Sequence, residues 1–376
     1  MSGHGQILHD CETVGVSACL ERMWQRVIAA GGFLHPGALI EERGGQLRVR
    51  RTAQVQAGEK LFVLSDAALI PLDGLHLASD AGKITGYSGS STLSTTRRGL
   101  LETMVELFNL CGKLGNFPAI SGSKIASHGN WLAAIAAIKP SYLPPPDNPV
   151  EGLVRTRRIY NPLADNGFAP GHYLMPVMEL LNHRSAAPRF ILGGGAIAIT
   201  AWTPEDSDEC FASYAEQLDS LDLALHYGHA DPTNLLAHSA PIQVYLPGLG
   251  RIEIGAPDRR PNNSLNAPQV SYDGGPIRLS HLTFDAASPQ RSRAVLSLVL
   301  SGLARQCGLD GAKTRTLLEA APSILLTANL APLSALEAAG SQLAEQVPGV
   351  REIGVAAGIQ ARNLARVLGP NASHGT

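Results

Sequence analysis

Two hydrophobic periods divide this chain and restrict what it can fold into. Residues 171–255 carry short apolar runs separated by turns, with alternation at Ile197/Ile199, Ile242/Val244/Leu246 and Ile252/Ile254. That period is the mark of short strands with one buried face. Beyond about Pro289 the sequence turns rich in Ala and Leu at three- and four-residue steps, the period of helices. Strands and helices segregated along the chain predict the α+β class: short β-sheets with a helical insertion, then a mainly helical C-terminal domain.

Local signals place further elements. Val16, Cys19, Leu20, Met23, Trp24, Val27 and Ile28 share one helical face, and Gly31-Gly32 ends that helix. Gly58 offers a tight turn ahead of a strand at Leu61–Leu64, so a strand-turn-strand unit is expected there. Residues 100–114 and 130–138 carry helical patterns, and Pro144-Pro145-Pro146 with Pro149 marks the exit from a helical insertion. Asp219-Ser-Leu-Asp222 supplies an N-cap and an acidic first turn for a helix through Leu225, with Gly228 as its stop. Gly193-Gly194-Gly195 lacks the Lys-Ser/Thr of a phosphate cradle and reads as a hairpin turn. Residues 258–276 read as a linker, and Gly308, Pro322, Pro332 and Pro348 as breaks between C-terminal helices. The expected organisation is 1–75 as an N-terminal helix and first part of a strand-rich domain, 76–155 as a helical insertion, 156–255 as the second part of that domain, and 256–376 as a linker with a helical C-terminal domain.

Composition narrows the function. Hydrophobic residues make up 44% and charged residues 16% of the 376, which is globular rather than disordered. A net charge of −2 supplies no basic field, so no nucleic-acid partner is expected. Cys11, Cys19, Cys111, Cys210 and Cys307 form no C-x-x-C pair, so neither a metal cluster nor a disulfide framework is indicated. The opening residues lack a basic leader followed by an apolar run, and no continuous apolar stretch reaches bilayer length; a cytoplasmic location and no membrane partner are expected.

The chemistry-bearing segments are Glu179-Leu-Leu-Asn182-His183, then Phe211-Ala-Ser-Tyr214, then Leu225-His-Tyr227-Gly228. Upstream stand Gly31-Gly32-Phe33-Leu-His35-Pro36, the stretch Val49–Glu59 ending in Gly58-Glu59, and Thr156-Arg157. In order and separation these segments resemble the SET-domain protein methyltransferases, in particular the Rubisco lysine methyltransferase-like branch. The resemblance implies a SET-like fold and S-adenosyl-L-methionine as cofactor. It implies that Asn182 and His183 hold the cofactor, that Glu179 supports it, and that Arg157 pairs with its carboxylate. Tyr227 matches the family's catalytic phenol and Tyr214 the tyrosine walling the substrate channel, although these two roles are exchangeable. Where the family carries Gly-x-Gly in its first strand, this chain has Gln46-Leu47-Arg48 after Gly44-Gly45. Arg184-Ser185 follows His183, and Ala215 follows Tyr214, where Ser and Gly are usual.

Methyl transfer from a sulfonium is an in-line displacement, so the site must align a neutral amine and keep water from its path. The implied activity is N-methylation of a lysine on a protein substrate whose identity the motifs leave open. Two alternatives stand beside it: methylation of a histidine or small amine, and a SET-like interaction module without activity.

Overall fold

The computed structural model describes residues 8–89, 93–114, 128–144, 147–162, 166–214, 217–257, 268–272, 275–347 and 349–370. The chain divides into two units, one of residues 1–117 and 146–216, the other of 118–145 and 217–376. The expected α+β class holds, with many short sheets and a helical C-terminal part.

In the first unit, helix α1 (Val16–Ala29) buries Val16, Cys19, Leu20, Met23, Trp24 and Val27, the stripe its periodicity marked out. It packs on α2 (Thr95–Leu110), whose N-cap Ser94 accepts the amide of Arg97. Strands β1 (Leu8–Cys11), β3 (Ala38–Arg43) and β4 (Gln46–Arg51) form one sheet. A second sheet runs β12 (Ile191–Gly193), β13 (Ala196–Thr200), β5 (Lys60–Ser65), β2 (Phe33–Leu34). The turn between β12 and β13 takes Gly194 and Gly195 at φ +60° and +74°, the left-handed pair a two-residue hairpin requires. β4 and β5 do not pair: β4 zips to β3 and β5 to β13, so the expected strand-turn-strand unit joins two sheets.

The stretch expected as a helical insertion is more varied. It opens on a β-hairpin, β7 (His76–Asp80) and β8 (Lys83–Ser88), turning at Ala81-Gly82. Helix α2 belongs to the first unit, α3 (Gly129–Ile138) to the second, and α4 (Pro149–Arg157) to the first again. Pro149 does not break α4 but starts it, since the first helical position needs no N–H, and Asn148 caps it. Pro145, Pro146, Pro348 and most of the expected linker over 258–276 lie outside the described residues.

In the second unit, α5 (Ser220–Tyr227) precedes β15 (Leu236–His238), which pairs with β20 (Thr283–Asp285). A four-stranded sheet runs β16 (Ile242–Leu246), β17 (Gly250–Ile254), β19 (Ile277–Leu279), β18 (Val270–Ser271). Three helices close the chain: α6 (Pro289–Gln306), α7 (Gly311–Leu343) and α8 (Val350–Leu368). Pro322 and Pro332, expected as breaks, lie inside α7. The buried stripe Leu317, Ala321, Leu325, Asn329, Leu333, Leu336 and Gly340 continues through both, and packing of that stripe outweighs the two lost backbone hydrogen bonds. By length and composition alone α7 is also apolar enough to cross a membrane; here its stripe joins the core with Trp131, Ile135 and the buried face of α8.

Polar side chains complete that core. Asn329 of α7 accepts the amide of Ala240 (2.8 Å) and the hydroxyl of Ser239 (3.1 Å). Gln360 and Asn363 of α8 donate to the carbonyls of His238 (2.6 Å) and Asn234 (2.9 Å). Buried main chain at 234–240 thus finds partners on helices distant in sequence, which is what keeps it from costing stability.

Candidate active site

The segment from Met175 to His183 starts with strain. Val177 sits at φ +68°, ψ −47°, with the amide of Met178 donating to the carbonyl of Pro176 (2.8 Å): a γ-turn of the rare, φ-positive kind at a β-branched residue. Such a conformation costs on the order of 1–3 kcal/mol and persists only where surrounding packing over-determines it. Val177, Met178, Leu180 and Leu181 are all buried, and they supply that packing.

The turn delivers Glu179 into the interior. Its side chain is 1% exposed, and Oε2 lies 3.3 Å from Nε of Arg157, the last residue of α4. The Arg157 guanidinium also stands over the ring of Phe108, 5.7 Å from its centroid. Burial pushes the Glu179 carboxyl up to about 7, against the opposing pull of Arg157 and Lys113. Lys113, which sequence reasoning passed over, is held below the usual ammonium range by burial and by Arg157. Oε1 of Glu179 has no hydrogen-bond partner among the described residues. Arg157, expected to face the cofactor's carboxylate, therefore has a protein carboxylate beside it.

Asn182 and His183 form the two-residue strand β11, which runs parallel to β14 (Phe211–Ala212) in the register Asn182↔Phe211, His183↔Ala212. This pairing joins two of the three sequence segments directly. The adjoining residues 208–210 bond to β4, with Cys210 donating to Val49 (2.7 Å) and Arg51 to Asp208 (2.9 Å). The strand expected to carry Gly-x-Gly thus borders this group. Asn182 is exposed, and its Nδ2 donates to Glu209 Oε1 (2.6 Å).

His183 is buried and meets Tyr214 twice. The backbone N–H of Tyr214 donates to Nδ1 (3.1 Å), and the two rings lie 4.9 Å apart at 49°. An accepting Nδ1 assigns the proton to Nε2, which is 3.2 Å from Ser185 Oγ. The Tyr214 hydroxyl donates to the carbonyl of Leu181 (2.6 Å). The loop residue is thereby tied at both ends to the Glu179–His183 segment.

Arg157, Glu179, Asn182, His183 and Tyr214 all belong to the first unit; Arg157 pairs with Glu179, His183 with Tyr214, and Asn182 bonds to Glu209. Tyr227 belongs to the second unit, as the last residue of α5 before Gly228, which adopts φ +73°, ψ +22°. Lys113, Val177, Ser185 and Glu209 were missed by sequence reasoning. Lys113 and Glu209 are brought in by partners far along the chain and Val177 by backbone geometry, while Ser185 lies two residues from the His183 ring it meets. Metal-capable side chains converge elsewhere: among the described residues, Asp219, Asp222 and His238 have ligand atoms within 4.8 Å of one another, and the ammonium of Lys139 sits against both carboxylates.

Searched against known proteins, the chain matches no protein-family model and no curated protein. Among solved structures it is similar to the SET domain of LSMT bound to lysine and AdoHcy, at 12% identity and TM-score 0.41, covering 94% of this chain and 91% of that one. It is similar also to Rubisco LSMT bound to AdoMet, at 11% identity and TM-score 0.40, covering 93% and 91%.

Proposed function

We propose that the chain is an S-adenosylmethionine-dependent N-methyltransferase acting on a lysine side chain of a protein. The observation that carries this reading is the parallel pairing of Asn182-His183 with Phe211-Ala212, which brings together two segments that the family resemblance had already singled out as cofactor- and substrate-facing.

The residues present fit the cofactor. Glu179 has a buried carboxyl whose Oε1 lacks a hydrogen-bond partner among the described residues, which favours a supporting role next to the cofactor. Asn182, three residues on, is exposed, with its amide N–H donating to Glu209. Bound there, the cofactor supplies an electrophilic methyl on a sulfonium. The protein's part is to bind, orient and desolvate. Lysine in water is protonated near neutrality, with a pKa of about 10.4. A dry channel disfavours the ammonium and exposes the lone pair. In this reading a tyrosine hydroxyl, that of Tyr227, orients the amine, and proton loss to water precedes transfer. Tyr214 shapes the channel wall through its ring, with its hydroxyl committed to the Leu181 carbonyl.

Calorimetric titration with S-adenosylhomocysteine tests this. Binding by the intact protein that Asn182→Ala abolishes in a folded variant is the expected result. Absence of binding by the intact protein favours the interaction-module alternative, which the Gln46-Leu47-Arg48 sequence motivates. Mass spectrometry of substrate labelled from S-adenosylmethionine then distinguishes lysine from histidine or a small amine.

A further inference from the structure

Lys139 is the one Asp, Glu, Lys or Arg between residues 125 and 146, and its ammonium is buried. It caps the C-terminus of α3, where its amide donates to Ile135 (2.7 Å). Its Nζ reaches the start of another helix, 2.7 Å from Asp219 Oδ2 and 2.9 Å from Asp222 Oδ1, both carboxylates 0% exposed.

Those carboxylates are the capping box of α5. Asp219 Oδ1 accepts the amide of Asp222 (2.9 Å), and Asp222 Oδ2 accepts the amide of Asp219 (3.3 Å). Each acid therefore divides its oxygens, one for its own helix and one for Lys139. The backbone N–H of His238 also points at Asp219 Oδ2 (3.4 Å). His238 itself is buried between Thr283 Oγ1 (3.0 Å) and the carbonyl of Gln217 (2.8 Å). The arrangement resembles a cation site in spacing, and the cation is the chain's own ammonium.

Helix α5 has eight residues, too few to hold an orientation by itself, and it ends on Tyr227. Beyond it, the amide of Ala230 donates to Glu352 Oε2 (3.0 Å). A buried ion triad adds little stability over apolar residues of similar volume, but a buried charge parted from its partners is costly, which disfavours positions of α5 where its acids leave Lys139. We infer that Lys139 is a positioning residue for Tyr227: by clamping both acids of the capping box it fixes α5, and through α5 the phenol. This rests on the role proposed above for Tyr227.

The test uses the full chain labelled with 13Cζ-tyrosine, the Tyr227 signal being identified by its loss in Tyr227→Phe. Lys139→Met alone leaves two buried, uncompensated carboxylates, a strongly destabilising change. It is therefore paired with the neutral variant Lys139→Met/Asp219→Asn/Asp222→Asn. In the folded neutral variant the expected results are a shifted or broadened Tyr227 signal, and amide exchange at least about tenfold faster across α5 but not across α7 and α8. With a cell extract as acceptor and tritium-labelled S-adenosylmethionine varied, the apparent maximal rate should drop about tenfold at unchanged apparent KM. An unchanged Tyr227 signal with unchanged α5 exchange overturns the inference, as does a full methylation rate. Should the wild-type protein transfer no methyl group, the proposed function falls, and the signal and exchange still decide whether Lys139 positions Tyr227.

Discussion

Glu179 concentrates the residue-scale physics. Its folded carboxyl keeps its proton up to about pH 7, while in the unfolded chain it releases it near 4.5. Between those values the folded state holds the extra proton, so stability falls as pH rises and levels off above 7. The displacement corresponds to about 3 kcal/mol. Chemical unfolding at several pH values should show this fall, and Glu179→Gln should remove most of it; an identical pH slope in the variant would refute the assignment. The phenols are separable at the same scale. Tyr227→Phe should cost at least about tenfold in methylation rate, roughly 1.4 kcal/mol of transition-state stabilisation. Tyr214→Phe instead releases the carbonyl of Leu181. Its expected loss is about 1 kcal/mol of stability, measured as a shift in melting midpoint.

At the scale of elements, sequence signals carried furthest where local chemistry closes on itself. The N-cap Asp219, the acid at Asp222 and the stop at Gly228 bound α5 where their spacing had put it. The glycine hairpin and the stripe of α1 likewise need only their own residues. Pro322 and Pro332 misled because helix-breaking is a local tendency of about 3 kcal/mol, whereas α7 is held by a stripe of buried contacts along its whole length. Asn329 on that stripe provides a check. Asn329→Leu keeps the branched shape of the side chain but leaves the buried amide of Ala240 without its acceptor, an expected loss of about 1–3 kcal/mol by denaturant unfolding. A neutral effect would mean that the main chain there finds another partner.

For the whole molecule, connectivity matters as much as composition. The second unit is assembled from two stretches of sequence, 118–145 and 217–376. Its core includes Trp131, Ile135 and Ile138 of α3, and its buried acids require Lys139. A fragment of residues 217–376 should therefore lack a cooperative melt and near-ultraviolet ellipticity. Adding a peptide of residues 128–144 should restore both, and a fragment that folds without it would show the contribution of α3 to be dispensable.

Taken alone, the sequence determined the α+β class, the helices whose stripes and caps lie within a dozen residues, and the short segments that resemble a methyltransferase site. Those features depend on spacing along the chain, which periodicity and motif order report directly. Only the tertiary structure decided that Arg157 faces Glu179, that Asn182-His183 pairs with Phe211-Ala212, and that Lys139 closes on Asp219 and Asp222. The last joins residues 80 positions apart, and no local pattern encodes it. The physical reason is burial: a charge taken out of water must find its partner wherever the fold brings one, and that choice is made by packing rather than by sequence neighbourhood.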